Sequence, residues 1–278
     1  MAKASTNPLS KHFRQPAIYL RLPSEGKFWP KDSLQLPPND DIPVFPMTVK
    51  DEITLKTPDA LMNGSGVVSV IESCCPNIKN GWDVPAVDLD AILIAIRLAS
   101  YGEGMDVTSA CTNCKEENEF TVDLRVLLDS IRPAEYNPVS VDGLEFMFKP
   151  QSFKGLNEVN MISFEQQKLV DAISNSDLTS EEKAGYIKVA FEKLTDMNIM
   201  ALVNCIDHIT LEDGTLVDNR GHIKEFITNC ERKVYDKIKE LITAEVSKQK
   251  LDPMTLECPN CQHQYTTELN FEYSNFFA

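Results

Sequence analysis

The chain has 278 residues, 42% of them hydrophobic and 25% charged, which excludes wholesale disorder and a fibrous architecture and leaves room for one large domain or two modest ones. Its 42 acidic and 27 basic residues give a formal charge of −15, which repels phosphate backbones and anionic bilayers at long range, so neither nucleic acid nor membrane is expected as a partner. Residues 1–14 lack the apolar run of a secretory signal, and the longest apolar stretch, Ala91 to Ala99, is broken by Arg97 and is far short of the ~20 residues that span a bilayer.

A soluble, unexported protein is therefore expected. In a reducing compartment its eight cysteines point to metal ligands and core packing rather than to disulfides.

Residues 1–48 contain Pro8, Pro16, Pro23, Pro30, Pro37, Pro38, Pro43 and Pro46, half of the 16 prolines. Proline lacks a backbone donor and fixes φ, so no long helix forms there and an extended Pro-rich N-terminal arm is predicted. Leu20, Leu22, Phe28, Trp29, Leu34, Leu36, Val44 and Phe45 need a surface to lie on, either the body of the chain or a partner.

From Thr57 to Cys75 the spacing of Leu61, Val67, Val68, Val70 and Ile71 predicts two short helices broken at Gly64-Ser65-Gly66. A stronger helix follows, with Pro85 near its start and Asp88 and Asp90 at its positive end. Leu89, Ile92, Leu93, Ile96 and Ala99 form one stripe and Ile94, Ala95 and Leu98 a second, so it is expected to be buried on two sides and to end near Gly102.

Val139–Val141 and Leu144–Phe148 flank Asp142-Gly143, and Ile209–Leu211 and Leu216–Val217 flank a loop with Asp213-Gly214, which are two hairpin signals. Between them Thr179 and Glu182 form a capping box, Ile187, Ala190, Phe191 and Leu194 share a helical face, and the helix runs to about Cys205. Ile223, Phe226, Ile227, Cys230, Val234, Ile238, Leu241 and Ile242 recur at steps of three and four, which predicts one helix of about 25 residues.

Two distant segments resemble each other. Cys111-Thr-Asn-Cys114 precedes Phe120-Thr-Val-Asp-Leu124, and Cys258-Pro-Asn-Cys261 precedes Tyr265-Thr-Thr-Glu-Leu269. A closed zinc site needs four soft or borderline ligands and one knuckle supplies two, so Cys111, Cys114, Cys258 and Cys261 are predicted to hold one structural zinc as the halves of a split ribbon. Three other readings stay open: a thiol redox pair, one knuckle completed by His263 and a further ligand, and cysteines that bind nothing. Cys74, Cys75, Cys205 and Cys230 sit on apolar helical stripes and are expected to be small buried hydrophobes.

No phosphate-binding loop, nucleophile elbow or His-Glu-x-x-His motif occurs, and His12, His208, His222 and His263 are scattered. No catalytic or cofactor-binding residue is assigned.

Leu20-Arg-Leu-Pro-Ser-Glu-Gly-Lys-Phe-Trp29, Thr48-Val-Lys-Asp-Glu-Ile-Thr-Leu55, Thr57-Pro-Asp-Ala-Leu61, Asp88-Leu-Asp90, Ile96-Arg-Leu-Ala-Ser-Tyr-Gly102 and the Cys111 knuckle follow one another in an order that resembles the baseplate proteins of T-even-type tailed phages, specifically the small hub-assembly component. The likeness covers residues 15–130 well and is looser beyond, although the second knuckle also fits. It implies a non-catalytic structural or assembly component of the hub of a contractile tail baseplate, found in the virion tail, in the host cytoplasm during assembly, or both, whose partners are other baseplate and hub proteins.

The expected fold class is α+β: a helix-rich body over 49–278 with short hairpins, and a split zinc-ribbon-like element over 105–124 and 254–271. A mainly helical insertion occupies 130–250, and the Pro-rich arm covers 1–48. Two other functional classes remain: a zinc-ribbon nucleic-acid-binding protein, which needs basic and aromatic residues on the ribbon, and a thiol-disulfide oxidoreductase, which needs a cysteine of depressed pKa.

Overall fold

The computed structural model describes residues 7–57, 63–268 and 276. Leu61 of the expected first short helix and residues 269–271 of the second ribbon half lie outside them. The fold is α+β, with helices packed on small antiparallel sheets around three hydrophobic clusters.

The first cluster includes the Pro-rich segment. A short 3-10 turn (Pro8–His12) leads to β1 (Ile18–Arg21), which pairs antiparallel with β2 (Asp41–Val44), setting Ile18 opposite Val44. Strand alternation turns Ile18, Leu20, Ile42 and Val44 inward. The segment is held along its length by polar contacts as well: Leu34 bridges to Ile78, and Arg14 donates to the Pro46 and Ser73 carbonyls while pairing with Asp51.

Helix α1 (Val49–Leu55) starts with a capping box in which Thr48 and Asp51 satisfy each other's backbone N–H. Helix α2 (Ser65–Cys74) starts at Gly64, whose φ of +76° suits glycine, so the helix begins inside the expected Gly-Ser-Gly break and Gly66 belongs to it. Helix α3 (Ala86–Tyr101) is buried on both predicted stripes and stops at Gly102.

Asp88 departs from its expected role. It does not merely sit at the positive end of α3: its carboxylate is buried and accepts from the Ser24 N–H (2.7 Å), the Ser24 hydroxyl (2.5 Å) and the Trp29 indole N–H (2.8 Å). It anchors the Pro-rich segment to the central helix.

After α3 come the hairpin of β3 (Gly104–Ala110) and β4 (Glu117–Asp123) and the short helix α4 (Leu124–Ser130), capped by Asp123. The second cluster then forms around a four-stranded sheet in sequential order, β5 (Val139–Val141), β6 (Leu144–Phe148), β7 (Ile206–Thr210) and β8 (Leu216–Val217). Asp142 and Gly143 both have positive φ, 52° and 79°, as a tight two-residue hairpin turn requires.

Between β6 and β7 the helical sequence forms a pair, α5 (Phe153–Ser174) and α6 (Ser180–Asn204), with the expected Thr179–Glu182 capping box. Phe153 stacks on Trp82 at 5.7 Å and joins the first cluster.

The single helix expected over the Ile223–Ile242 stripe is two helices, α7 (Arg220–Asn229) and α8 (Arg232–Lys248). Cys230 and Glu231 between them are extended, with ψ of 162° and 143°. Ile223, Ile227, Val234, Ile238 and Ile242 nevertheless all face the second cluster. Periodicity reported which residues are buried; it did not report the backbone between them.

Candidate metal centre

The third cluster is where the two ends of this excursion meet. Strands β3 and β4 pair up to Ala110 opposite Glu117, and β9 (Met254–Glu257) pairs with β10 (Gln264–Thr267) up to Glu257 opposite Gln264, so each hairpin is closed by one Cys-x-x-Cys turn. Each knuckle thus has strand on both sides, where the sequence pointed only to strand after it.

The two turns repeat one backbone design. Cys111 N–H donates to the Glu116 carbonyl at 2.9 Å, and Cys258 N–H to that of His263 at 3.0 Å. Lys115 N–H returns to the Cys111 carbonyl at 3.0 Å, and Gln262 N–H to that of Cys258 at 2.8 Å. The residue after each second cysteine is left-handed, Lys115 at φ 63° and Gln262 at φ 59°.

All four predicted sulfurs come together, every pair within 4.8 Å. Cys111 Sγ lies 3.7 Å from Cys261 Sγ, and Cys114 Sγ 3.6 Å from Cys258 Sγ, so both of these close pairs run between knuckles. With metal–sulfur bonds of about 2.3 Å, a tetrahedral site has sulfur–sulfur edges of about 3.8 Å, and the spacing fits that donor set. Among the described residues the cluster contains no histidine; His263 supplies a backbone carbonyl to the turn.

Leu256, Tyr265, Phe120 and Met254 pack beneath the sulfurs, and the Tyr265 hydroxyl donates to the Ser109 carbonyl across the two hairpins at 3.4 Å. Cys111 and Cys258 are buried, whereas Cys114 is exposed and Cys261 half-buried. The His263 backbone N–H, followed by the Asn113 amide, holds the Cys261 thiol down to about 6, and the Cys261 N–H leads in lowering Cys258. Both shifts favour thiolate, the form that ligates metal, whereas Cys114, although the Glu116 N–H lowers it, is raised to about 12 by burial and by the three neighbouring sulfurs.

A family model described as T4 bacteriophage base plate protein matches residues 20–278. The chain belongs to that family. It is a structural component of a T4-type phage baseplate, with other baseplate proteins as its partners. The match spans both knuckles, so the whole sulfur cluster lies within the baseplate family's extent. No curated protein and no solved structure matches the chain.

The remaining cysteines of this baseplate protein lie outside the four-sulfur cluster. Burial pushes the Cys74 thiol up to about 12 and also raises Cys75 and Cys205, as in unreactive core positions, and half-buried Cys230 is raised for the same reason. Sequence reasoning missed Asn113 and Asn118, whose side-chain amides reach Cys261 and Cys258. The signal available for Asn113 was its place in the repeated Cys-x-Asn-Cys turn. Asn118 had none beyond its inward position in an alternating strand. No helix among the described residues is long and apolar enough to cross a membrane.

Proposed function

We propose that this baseplate protein is a non-catalytic component of the hub, the central part of the tail baseplate, acting through protein–protein contacts and stabilised by one structural zinc held by Cys111, Cys114, Cys258 and Cys261. The observation that carries the metal is the 3.6–3.7 Å approach of sulfurs from turns nearly 150 positions apart. Zinc would tie the two hairpins into a split ribbon over 105–124 and 254–271, closing the 130–250 insertion between them. The Pro-rich segment 1–48 acts as an arm strapped to the 49–278 body. Binding energy of this kind couples to folding and is on the order of 10 kcal/mol.

The hub position rests on the order of motifs in residues 15–130. The protein works in the virion tail, in the host cytoplasm during assembly, or both. Nucleic-acid binding by the ribbon is disfavoured by its charge, since Glu116, Glu117 and Glu119 outnumber Lys115 beside the first knuckle and Glu257 precedes the second. Cys261 has the lowered thiol that redox catalysis needs, but both knuckles lie between strands and neither opens a helix, which disfavours that reading.

Cross-linking mass spectrometry of purified baseplates and of assembly intermediates tests the placement. Cross-links to central hub subunits are expected; cross-links confined to peripheral baseplate proteins would overturn the hub assignment.

A further inference from the structure

We propose that Asn113 and Asn118 are positioning residues of the metal centre, whose side-chain amides dock the second knuckle onto the first and carry part of the thiolate charge. The inference rests on the reading of the four sulfurs as one metal site. Asn118 Nδ2 lies 3.6 Å from Cys258 Sγ and 3.0 Å from the Glu116 carbonyl, so one amide tethers its own turn and reaches the facing sulfur. Asn113 Nδ2 lies 3.7 Å from Cys261 Sγ. Both bonds run the same way, with donors on the first hairpin and acceptors on the second.

Direction and burial argue against incidental contact. Asn118 is one of six buried polar or charged residues among those described, and it occupies the inward face of β4 with Phe120 and Val122, where an apolar side chain would serve packing better. An amide there is explained by what it donates to. A divalent ion held by four thiolates leaves a net charge of −2, and N–H donors aimed at sulfur spread that charge while fixing each ligand's orientation. Residue 265, which holds the same offset in the second knuckle, is tyrosine and spends its hydroxyl on the Ser109 carbonyl. The repeat is therefore symmetric in its turns and asymmetric in its outer donors, which orients the pairing: Asn118 selects Cys258 and Asn113 selects Cys261.

The test uses the full chain loaded with zinc, and separately with cobalt(II), for the wild type, Asn118→Leu and Asn113→Ala. Competition with a chelator should show roughly a tenfold or greater loss of zinc affinity for Asn118→Leu and a smaller loss for exposed Asn113→Ala. In the cobalt form, losing an N–H donor raises the energy of the sulfur lone pairs. The sulfur-to-cobalt charge-transfer bands should then move to longer wavelength while the tetrahedral d–d bands persist, a signature that loss of packing alone would not give. Each residue stands or falls by its own variant, and unmoved bands with wild-type affinity would overturn its role. If Asn118→Leu fails to fold, the near-isosteric Asn118→Asp, which keeps the shape and loses the N–H, is read by the same bands. A wild-type chain that takes up neither metal would instead overturn the four-thiolate reading itself.

Discussion

Ser24 and Asp88, 64 positions apart, share a 2.5 Å hydrogen bond from hydroxyl to carboxylate in the interior of the first cluster. With the Ser24 and Trp29 N–H groups also donating, this carboxylate is the joint between the Pro-rich segment and α3. Burial pushes the Asp88 carboxyl up, and the Ser24 and Trp29 hydrogen bonds offset that only in part. Asp88→Ala strands the buried Ser24 N–H and hydroxyl together with the part-buried Trp29 indole N–H and should destabilise the protein by about 3 kcal/mol or more in urea unfolding. Trp29→Phe removes one donor together with its bond and should cost about 1 kcal/mol. Equal, small effects from both would show that the joint is not where the segment is held.

Gly102 and Gly185 offer a controlled pair. Neither has a neighbour within 4 Å of an added Cβ, but Gly102 sits at φ +91° with ψ −169° whereas Gly185 lies inside α6. Space is equal and only the backbone differs. Gly102→Ala should destabilise by about 2 kcal/mol, because that region is essentially restricted to glycine. Gly185→Ala should stabilise by about 1 kcal/mol through helix propensity. Thermal unfolding of the two variants reads both signs, and a stabilising Gly102→Ala would contradict the backbone described at the end of α3.

Asp207 supplies a pH dependence in the second cluster. Burial raises its pKa, but hydrogen bonds from His208 (3.0 Å) and Lys149, with Lys149 Nζ at 3.2 Å, outweigh that and leave it below its usual 3.8. A depressed folded-state pKa means stability that is present above the unfolded value and is lost as pH falls through the folded one. The melting temperature of Asp207→Asn should therefore lie below that of the wild type at about pH 6, and the gap should begin to narrow only near about pH 4 and close once the pH falls below the depressed folded-state value. A gap unchanged at acid pH would place its origin elsewhere.

The parts of this molecule legible in its sequence are those where a local rule and the tertiary outcome agree. Leu89, Ile94 and their neighbours gave away a helix buried on two sides because both stripes obey one period. Asp142-Gly143 announced its hairpin because only such residues take two positive φ values in succession. Two Cys-x-Asn-Cys turns pointed to one another because each carries two of four candidate ligands, and their sulfurs do come together.

What was hidden depends on partners distant in sequence. Asp88 read as a helix-end charge, since nothing local indicates that Ser24 and Trp29 will surround it. The break at Cys230 and Glu231 carries no Gly or Pro, and the buried stripe continues across it unchanged. Asn118 looked like one polar residue among many in an acidic strand until the facing sulfur supplied its reason.

Native mass spectrometry of the freshly purified chain measures directly whether the two knuckles share a metal. One zinc per chain is predicted, lost in Cys258→Ser together with a sharp fall in melting temperature, and retained in Cys230→Ser. A wild-type chain without bound metal, or a Cys258→Ser variant that keeps its full zinc content, would contradict it.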